Sequence, residues 1–387
     1  MSLSDQSKHM AQQPIKPFYF DITDEEIDYF ALESKKILKS GRLILGENTA
    51  EFEKDFAQYV GTKHAIAVNT GSSGLEIILR LKKAEKTTVL VPTNTNFATV
   101  AAVLRVGGQV KYLDMDESTF APSLDMVKEA VEKGANPAIS GLLWVHIGGV
   151  ISAEFPQIVE YCHENGLFVL EDTAHAHGSQ INGVQAGNLG DGAAFSFFPT
   201  KIMTTFEGGM ITLNDDEEDY IARSLRNQGK RGMDFGGLHT DFGNSTRMTE
   251  IHAVLGRIQL AKLSEMIEKR QRCYELITAP LREAGIKFVS TDHMDSASQY
   301  KLMVLLPEGK NPQEIKNALA AEDIFLGGTV YEIPCHLQPV FQDMCPVSSL
   351  PRAEYWCPNH ICPPLTSGMK EEDAKIVAEA LVRHLSL

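Results

Sequence analysis

Short β-branched runs alternate with amphipathic helical stretches through the first half of the chain, and this alternation restricts the possible folds more than any other feature. Predicted strands occupy residues 64–68, 88–91, 110–114, 140–145 and 167–171. Predicted helices begin at Ser73 and Phe97 and cover residues 124–132 and 154–165. Strands that alternate with helices form a mostly parallel sheet with helices on both faces. The sequence therefore predicts an α/β fold, whose ligands bind beyond the carboxyl ends of the strands.

The pattern changes near Thr249, after two further predicted strands at 193–197 and 210–213. Apolar residues then recur at helical spacing and predict a helix that continues past Arg270 and links two domains. Beyond it, short strands are predicted at 286–289 and 301–306. We therefore predict a flexible tail (1–16), a large domain (17–262), and a smaller C-terminal α+β domain (263–387) that includes the linking helix.

Composition excludes several classes of partner. Lys and Arg number 36 against 51 Asp and Glu, which gives a formal charge of −15 that repels nucleic acid and anionic membranes. The longest apolar stretch, 139–151, is too short and too interrupted to span a bilayer. No signal peptide is recognisable, so the six cysteines are expected to be reduced thiols of a cytoplasmic protein.

Four of those cysteines fall between residues 335 and 362, close to His336 and His360. Such a grouping of thiols and imidazoles is one way to form a zinc site. No two of these cysteines have the two-residue spacing typical of structural zinc, and we predict no metal site.

Lys201 is the first candidate catalytic residue. It follows a predicted strand, Ser196 lies five positions before it, and the sequence Glu207-Gly208-Gly209 comes shortly after. This arrangement suits an amine that attacks a carbonyl next to a bound phosphate. The alternative is a solvated loop lysine.

Two further segments carry polar groups at predicted strand ends. One runs from Glu171 and Asp172 to His175 and His177, where a carboxylate could hold a protonated heterocyclic nitrogen, cap the next helix, or join the histidines around a metal. The other is the Gly- and Ser-rich turn at 69–74, whose backbone N–H groups at a helix N-terminus could cradle a phosphate.

Together these segments resemble the DegT/DnrJ/EryC1/StrS family of pyridoxal-phosphate sugar aminotransferases, a branch of the fold-type I aspartate aminotransferase superfamily. The resemblance covers nearly the whole globular chain. The blocks that carry it are Glu51-Phe52-Glu53 with Phe56, the turn at Gly71, Val145-His146 with Gly149, Glu171-Asp172, the run from Ser196 to Lys201, Arg247-Met248 with Ile251, His336-Leu337-Gln338-Pro339, and Pro364-Leu365.

The resemblance implies pyridoxal 5'-phosphate as cofactor and assigns roles to the candidate residues. Lys201 would bind the cofactor covalently as a Schiff base and then move the proton in the amino transfer. Asp172 would face the pyridine nitrogen and keep it protonated, and His175 would lie beside the ring and its 3-hydroxyl. The phosphate would be bound by Ser72, Ser73 and Ser196 at the turn that begins with Gly71.

The sequence departs from the family at two places. Asn96 occupies the position of the aromatic residue that stacks on the cofactor, and Phe97 comes one place late. Ser245 stands where relatives have an Asn that reaches the phosphate across a subunit boundary, while the Asn here is Asn244.

The segment from Gly243 to Arg247 matches the part that crosses between subunits, so the resemblance implies a homodimer with shared active sites. Arg247 and the segment near His336 are the expected substrate contacts.

The expected function is transfer of an amino group from an amino acid, with glutamate as the expected donor, to a keto-sugar that is expected to be nucleotide-linked, in surface-polysaccharide or secondary-metabolite sugar biosynthesis. Two alternatives remain. Sugar 3-dehydratases of the same family keep the cofactor pocket but replace the lysine by His, whereas Lys is present at 201 here. A regulatory protein that binds the cofactor without catalysis would be expected to lose Lys201 or Asp172.

Overall fold

The computed structural model describes residues 13–232, 236–347 and 349–386, so most of the predicted tail lies outside the described residues. Its helices are α1 (Asp24–Ser40), α2 (Glu47–Val60), α3 (Gly71–Leu81), α4 (Phe97–Arg105), α5 (Leu124–Lys133), α6 (Phe155–Glu164), α7 (Asp216–Arg226), α8 (Glu250–Ala261), α9 (Leu263–Glu283), α10 (Pro312–Ala320), α11 (Pro339–Gln342), α12 (Pro351–Trp356) and α13 (Glu371–Leu385). Its strands are β1 (His64–Val68), β2 (Thr88–Pro92), β3 (Gln109–Leu113), β4 (Ile139–Val145), β5 (Phe168–Asp172), β6 (Gln180–Ile181), β7 (Val184–Gln185), β8 (Ala193–Ser196), β9 (Gly209–Leu213), β10 (Val304–Leu305) and β11 (His360–Ile361).

Seven strands form the central sheet in the order β1-β9-β8-β5-β4-β2-β3. β9 pairs antiparallel with both of its neighbours, and the remaining pairs are parallel. The predicted α/β fold with a mostly parallel sheet is confirmed. The order is not that of the chain, and β5, which carries Asp172, lies in the middle of the sheet.

Helices cover both faces of this sheet because successive strand residues point to opposite sides. Leu143 and Leu170 pack with residues of α3 and α4 on one face. Trp144 and Val169 pack with residues of α5 and α6 on the other. Residues of α2, α8 and α9 cover the opposite side of the β1, β8 and β9 region. The strand ends are thus held rigidly between two layers of helices.

A separate apolar cluster lies in the C-terminal part of the chain, where α9, α10 and α13 pack against β10 and β11. Ile15 belongs to this cluster, and its N–H donates to the Asp323 carbonyl over 2.8 Å. The last residues of the predicted tail are therefore packed against the C-terminal part. None of the helices in the described ranges has the length and apolar character needed to cross a membrane.

The predicted helix across Thr249 and Arg270 is divided in two at Lys262. Its backbone leaves helical angles, and its ammonium binds Asp21 Oδ1 at 3.3 Å and Glu26 Oε2 at 2.6 Å. Of the two strands predicted downstream, at 286–289 and 301–306, the structure forms only β10 within the second, and the first contributes a single bridge from Phe288 to Val304. Lys301 cannot join that strand because its N–H donates to the Gly148 carbonyl.

Glu171 fixes the loop that follows the central strand. Its fully buried carboxylate accepts hydrogen bonds from the N–H groups of Gly187, Leu189 and Gly190 at 2.8–2.9 Å. It also lies 2.8 Å from Nε2 of the buried His146, at the end of β4. One side chain therefore provides acceptors for backbone groups that would otherwise be buried without partners.

We expect Glu171→Ala to lower the free energy of unfolding by about 3 to 5 kcal/mol, because it leaves several buried donors without an acceptor. Urea denaturation followed by circular dichroism measures this. Glu164→Ala, at an exposed position on α6, is the control and should stay within about 0.5 kcal/mol of wild type. A loss at Glu171 no larger than that of the control would contradict this role.

Candidate active site

A cavity of about 360 Å³ lies at the carboxyl ends of β4, β5 and β8, where the fold predicts a ligand site. It brings together residues from separate strands, helix N-termini and loops. Its lining consists of Thr70, Gly71, Ser72, Leu75, Thr95, Asn96, Ala98, Val145, Asp172, Ala174, His175, Ala194, Ser196, Phe198, Lys201, Glu207 and Tyr331.

Asp172 forms the floor of the cavity at the last residue of β5. Its carboxylate accepts hydrogen bonds from Thr99 Oγ1 at 2.7 Å and from the Ala174 N–H at 3.1 Å. Burial raises the pKa of Asp172, while those two hydrogen bonds and Lys201 act in the opposite direction. No ion pair to Asp172 is formed within the described ranges. This buried carboxylate is thus oriented toward the cavity and can receive a cationic group.

Lys201 lies on the loop after β8, with its ammonium group 5.0 Å from the centre of the Tyr300 ring. Burial lowers the pKa of Lys201 to about 8, with Asp172 opposing the shift and Lys301 adding to it. A lysine with this pKa exists partly as the free amine near neutral pH, which is the form that attacks a carbonyl carbon.

His175 lies between two tyrosines. Its ring stacks on Tyr300 with a centroid distance of 4.2 Å, and Nε2 lies 3.4 Å from the Tyr331 hydroxyl. The Gly148 N–H donates to Nδ1 over 3.3 Å. Burial lowers the pKa of His175 well below its usual value, so the ring stays neutral.

The N-terminus of α3 forms one wall of the cavity. Thr70 caps this helix by accepting from the Ser73 N–H, while Ser72 and Ser196 line the cavity beside it. A Cβ on Gly71 would lie 2.9 Å from the Ser196 Cβ, and one on Gly209 would lie 2.6 Å from the Gly71 nitrogen. Glycine at both places therefore lets the helix end approach β8 closely, where its free N–H groups favour an anion.

Comparison with known proteins agrees with this geometry. Residues 23–382 match the DegT/DnrJ/EryC1/StrS aminotransferase family. The chain belongs to this family.

Two curated relatives and one solved structure illustrate the similarity. The spore coat polysaccharide biosynthesis protein SpsC of Bacillus subtilis is 29% identical over 367 residues, covering 90% of this chain and 92% of the relative. The dTDP-3-amino-3,4,6-trideoxy-alpha-D-glucose transaminase of Streptomyces venezuelae is 32% identical over 350 residues, which is 89% of each chain. The crystal structure of S. venezuelae DesV in complex with a ketimine intermediate superposes with a TM-score of 0.84 at 29% identity, covering 96% of this chain and 98% of DesV.

Most of the site residues predicted for this family member meet in the one cavity. They are Gly71, Ser72, Asn96, Asp172, His175, Ser196 and Lys201. Ser73 points elsewhere and lines a separate cleft of about 400 Å³ together with Asn244. Phe97 stacks on Phe341 with a centroid distance of 5.2 Å and is absent from the cavity lining.

Three other predicted residues also lie away from the cavity of their own chain. Arg247 donates to Asn227 Oδ1 at 2.9 Å and to Ser245 Oγ at 2.5 Å, which braces the exposed loop. His336 is buried, with Nδ1 2.7 Å from Thr93 Oγ1 and Nε2 3.1 Å from Glu354. Both ring nitrogens of His336 are thus engaged within the protein.

Sequence reasoning missed Thr99, Tyr300 and Tyr331. Thr99 was detectable in principle, because it lies one helical turn after Thr95 at the start of a predicted helix, but its Asp172 partner lies 73 residues away. The two tyrosines come from the C-terminal part, in segments with no local motif. Only the folded arrangement brings them to His175.

The pKa of His177 provides a test of how strongly burial near the cavity disfavours a charged side chain. It is buried beside the rings of Phe195 and Phe197, and burial lowers its pKa to about 3 from an ordinary 6.5. A folded-state pKa below the unfolded value means that the unfolded chain binds the proton more readily. The stability that depends on neutral His177 is therefore complete above about pH 6.5 and is lost as the pH falls toward 3.

We expect His177→Phe to remove this part of the acid sensitivity. Between pH 6.5 and about pH 5 the wild-type chain should lose about 2 kcal/mol more unfolding free energy than the variant, since one proton per molecule is involved. Urea denaturation of both proteins across this pH range measures the difference. Parallel pH profiles would contradict a neutral buried His177.

Proposed function

We propose that this chain is a pyridoxal-phosphate-dependent aminotransferase that converts a nucleotide-linked keto-sugar into an amino sugar, with an amino acid such as glutamate as donor. The observation that carries the proposal is the placement of Lys201 and Asp172 in one cavity, beside a helix N-terminus suited to an anion. A nucleophilic amine, a buried carboxylate and an anion site are the three groups that this cofactor requires.

The residues fit the cofactor at each of its polar ends. The α3 N-terminus, made accessible by Gly71 and flanked by Ser72 and Ser196, would hold the phosphate. Asp172, which has hydrogen-bond donors but no cationic partner in the described part of the chain, would hold the protonated ring nitrogen. His175 would lie against the ring, while Asn96 occupies the cavity where an aromatic stacking residue was expected.

When bound, the cofactor supplies an aldehyde that exchanges amino groups and a ring that delocalises the electrons left at the carbon that loses its proton. Lys201 would attack the aldehyde carbon and, once displaced by the donor, move a proton between carbon atoms as base and then acid. The negative charge of Asp172 would keep the ring nitrogen protonated, and the hydrogen bonds from Thr99 and Ala174 orient its carboxylate for this role. The neutral His175 would position the ring without adding charge.

The sugar substrate is proposed from the names of the relatives. The S. venezuelae relative is named as a transaminase of a dTDP-linked amino sugar, which favours a nucleotide-linked substrate here. The presence of Lys201 favours transamination over the dehydratase alternative, because a lysine can capture the cofactor again after each amine transfer.

We expect Lys201→Ala to abolish turnover while the fold is retained, because this side chain is both the covalent attachment and the proton carrier. Wild-type protein should show a visible absorption band of lysine-bound cofactor that an amino donor removes. Lys375→Ala, at an exposed position on α13, is the control and should keep both band and activity. Steady-state transamination by the Lys201 variant would refute the assignment.

We also propose a homodimer in which each subunit completes the other's site. Asn244 and Ser245 are exposed and do not line the cavity of their own chain. The same loop carries Leu238 and Phe242, which are 83% and 89% exposed. Large apolar side chains at such exposure favour a covered surface, and isologous pairing is the commonest way to cover one.

Complementation tests the shared site. A chain carrying Lys201→Ala is mixed with one carrying Asn244→Asp and Ser245→Asp, whose added negative charge should repel the phosphate in the partner's site. Asp at 245 keeps an acceptor for Arg247. Each parent should be inactive, whereas hybrids isolated through two different tags contain one wild-type site and should recover about half of the wild-type activity per dimer. Inactive hybrids, or a monomer in solution, would contradict the proposal.

A further inference from the structure

Lys301 lies close to the reacting groups, although it has no place in the function proposed so far. Its ammonium lies 5.5 Å from the centre of the Tyr300 ring, the same ring that Lys201 approaches at 5.0 Å. His175 stacks on that ring as well. One aromatic ring therefore contacts the nucleophilic lysine, a second lysine and the neutral histidine of the site.

The fold holds Lys301 in place. Its N–H donates to the Gly148 carbonyl at 3.0 Å, and the Gly148 N–H donates in turn to His175 Nδ1. A Cβ on Gly327 would lie 2.5 Å from the Lys301 ammonium, so glycine at that position leaves room for the charged group. The backbone of Lys301 is thus fixed next to His175, and its ammonium lies between Gly327 and the Tyr300 ring.

This ammonium has no carboxylate counter-ion. Within residues 13–232, 236–347 and 349–386, no ion pair involves Lys301. Burial raises the pKa of the neighbouring Cys362 thiol to about 11, so the thiol stays neutral. The buried Arg270 guanidinium donates to the carbonyls of Gln299 and Tyr300 and adds positive charge. Burial and Arg270 lower the pKa of Lys301, and Cys362 opposes that shift; in its protonated form Lys301 adds positive potential at Tyr300, toward Lys201.

Several titratable groups face Lys201, and few of them carry charge near neutral pH. Burial lowers the pKa of His175 and His177, so both rings are neutral. Burial raises the pKa of Tyr300 and Tyr331, so both phenols stay protonated. Glu207 lines the cavity as an exposed carboxylate and is screened by solvent. The buried charges that act on Lys201 are then Asp172 and Lys301, which have opposite signs.

We propose that Lys301 is a positioning residue for the amino transfer reaction: its ammonium, held against Tyr300, opposes the negative charge of Asp172 at Lys201 and so adds to the effect of burial in favouring the free amine of Lys201. Asp172 alone would favour the protonated ammonium, which has no lone pair for attack on a carbonyl. A nearby second cation offsets part of this effect without removing the carboxylate that the ring nitrogen needs. This inference rests on the proposed function.

The experiment measures the protonation of Lys201 in the full-length chain without cofactor. An amine-specific acylating reagent is applied in trace amount over a range of pH, and the labelling of the Lys201 peptide is followed by mass spectrometry. The variants are Lys301→Met, which keeps the aliphatic stem without the charge, Lys301→Arg, which keeps the charge, and Lys316→Met, which removes a charge at an exposed position of α10.

We expect the Lys201 labelling midpoint to rise by about one pH unit in Lys301→Met and to stay near wild type in the other two variants. With cofactor bound, the Lys301→Met enzyme should be slow near neutral pH and recover as the pH rises, whereas a purely structural defect would lower the rate at every pH. An unchanged midpoint in a folded Lys301→Met chain would overturn the proposal.

If Lys301→Met fails to fold by circular dichroism, Lys301→Gln removes the same charge with a polar side chain, and the same rise is required. The labelling needs neither cofactor nor sugar. A chain that labels as expected but does not transaminate would therefore refute the proposed function while supporting the effect of Lys301 on the protonation of Lys201, so the two failures are distinguishable.

Discussion

The end of β5 is the point on which the site depends, because two adjacent buried carboxylates there point to opposite faces of the sheet. Glu171 turns toward the loop at 187–190 and binds its backbone N–H groups together with His146. Asp172 turns toward α4 and the cavity, where Thr99 binds it. The Glu171 carboxylate therefore stabilises the fold, whereas the Asp172 carboxylate faces the cavity and can bind a ligand. A shift of one residue along this strand would exchange the two roles.

Tyr300 joins the C-terminal part of the chain to this strand end. Arg270, on α9, donates to the carbonyls of Gln299 and Tyr300 and so holds the tyrosine backbone in place. The ring then stacks on His175, and its hydroxyl lies 3.3 Å from Thr200 Oγ1, next to Lys201. The C-terminal part thus contacts the site through the Tyr300 ring, whose backbone is held by Arg270. Arg270 lies on α9, in the stretch that sequence periodicity predicted as the helix linking two domains.

The sequence predicted the central sheet closely because hydrophobic periodicity is a local property. The strand that ends at Asp172 and the helices beginning near Gly71 and at Phe97 were recognisable from spacing alone. The break in the helix at Lys262 could not be recognised from spacing, because it coincides with ion pairs to Asp21 and Glu26, which lie more than 230 residues earlier in the chain. The same limit applies to the site. Strand ends supplied Asp172 and Lys201, whereas Tyr300, Tyr331 and Lys301 come from segments whose contacts are set by tertiary packing.

The chain as a whole is negatively charged, whereas the groups suited to bind an anion lie inside the cavity. This contrast limits how an anionic substrate could be recognised. A formal charge of −15 repels phosphate groups at long range, so attraction must come from within the cavity, where solvent screening is weak. The N-terminus of α3 supplies positive potential there and Lys301 adds a cation against Tyr300, with Asp172 as the buried negative charge. Pairing of Asp172 with a protonated ring nitrogen would neutralise that charge, and the cofactor phosphate would in turn occupy the positive potential of the α3 N-terminus. With the cofactor bound, recognition of an anionic substrate would therefore depend on hydrogen-bond donors and cations close to it rather than on a net positive charge of the cavity.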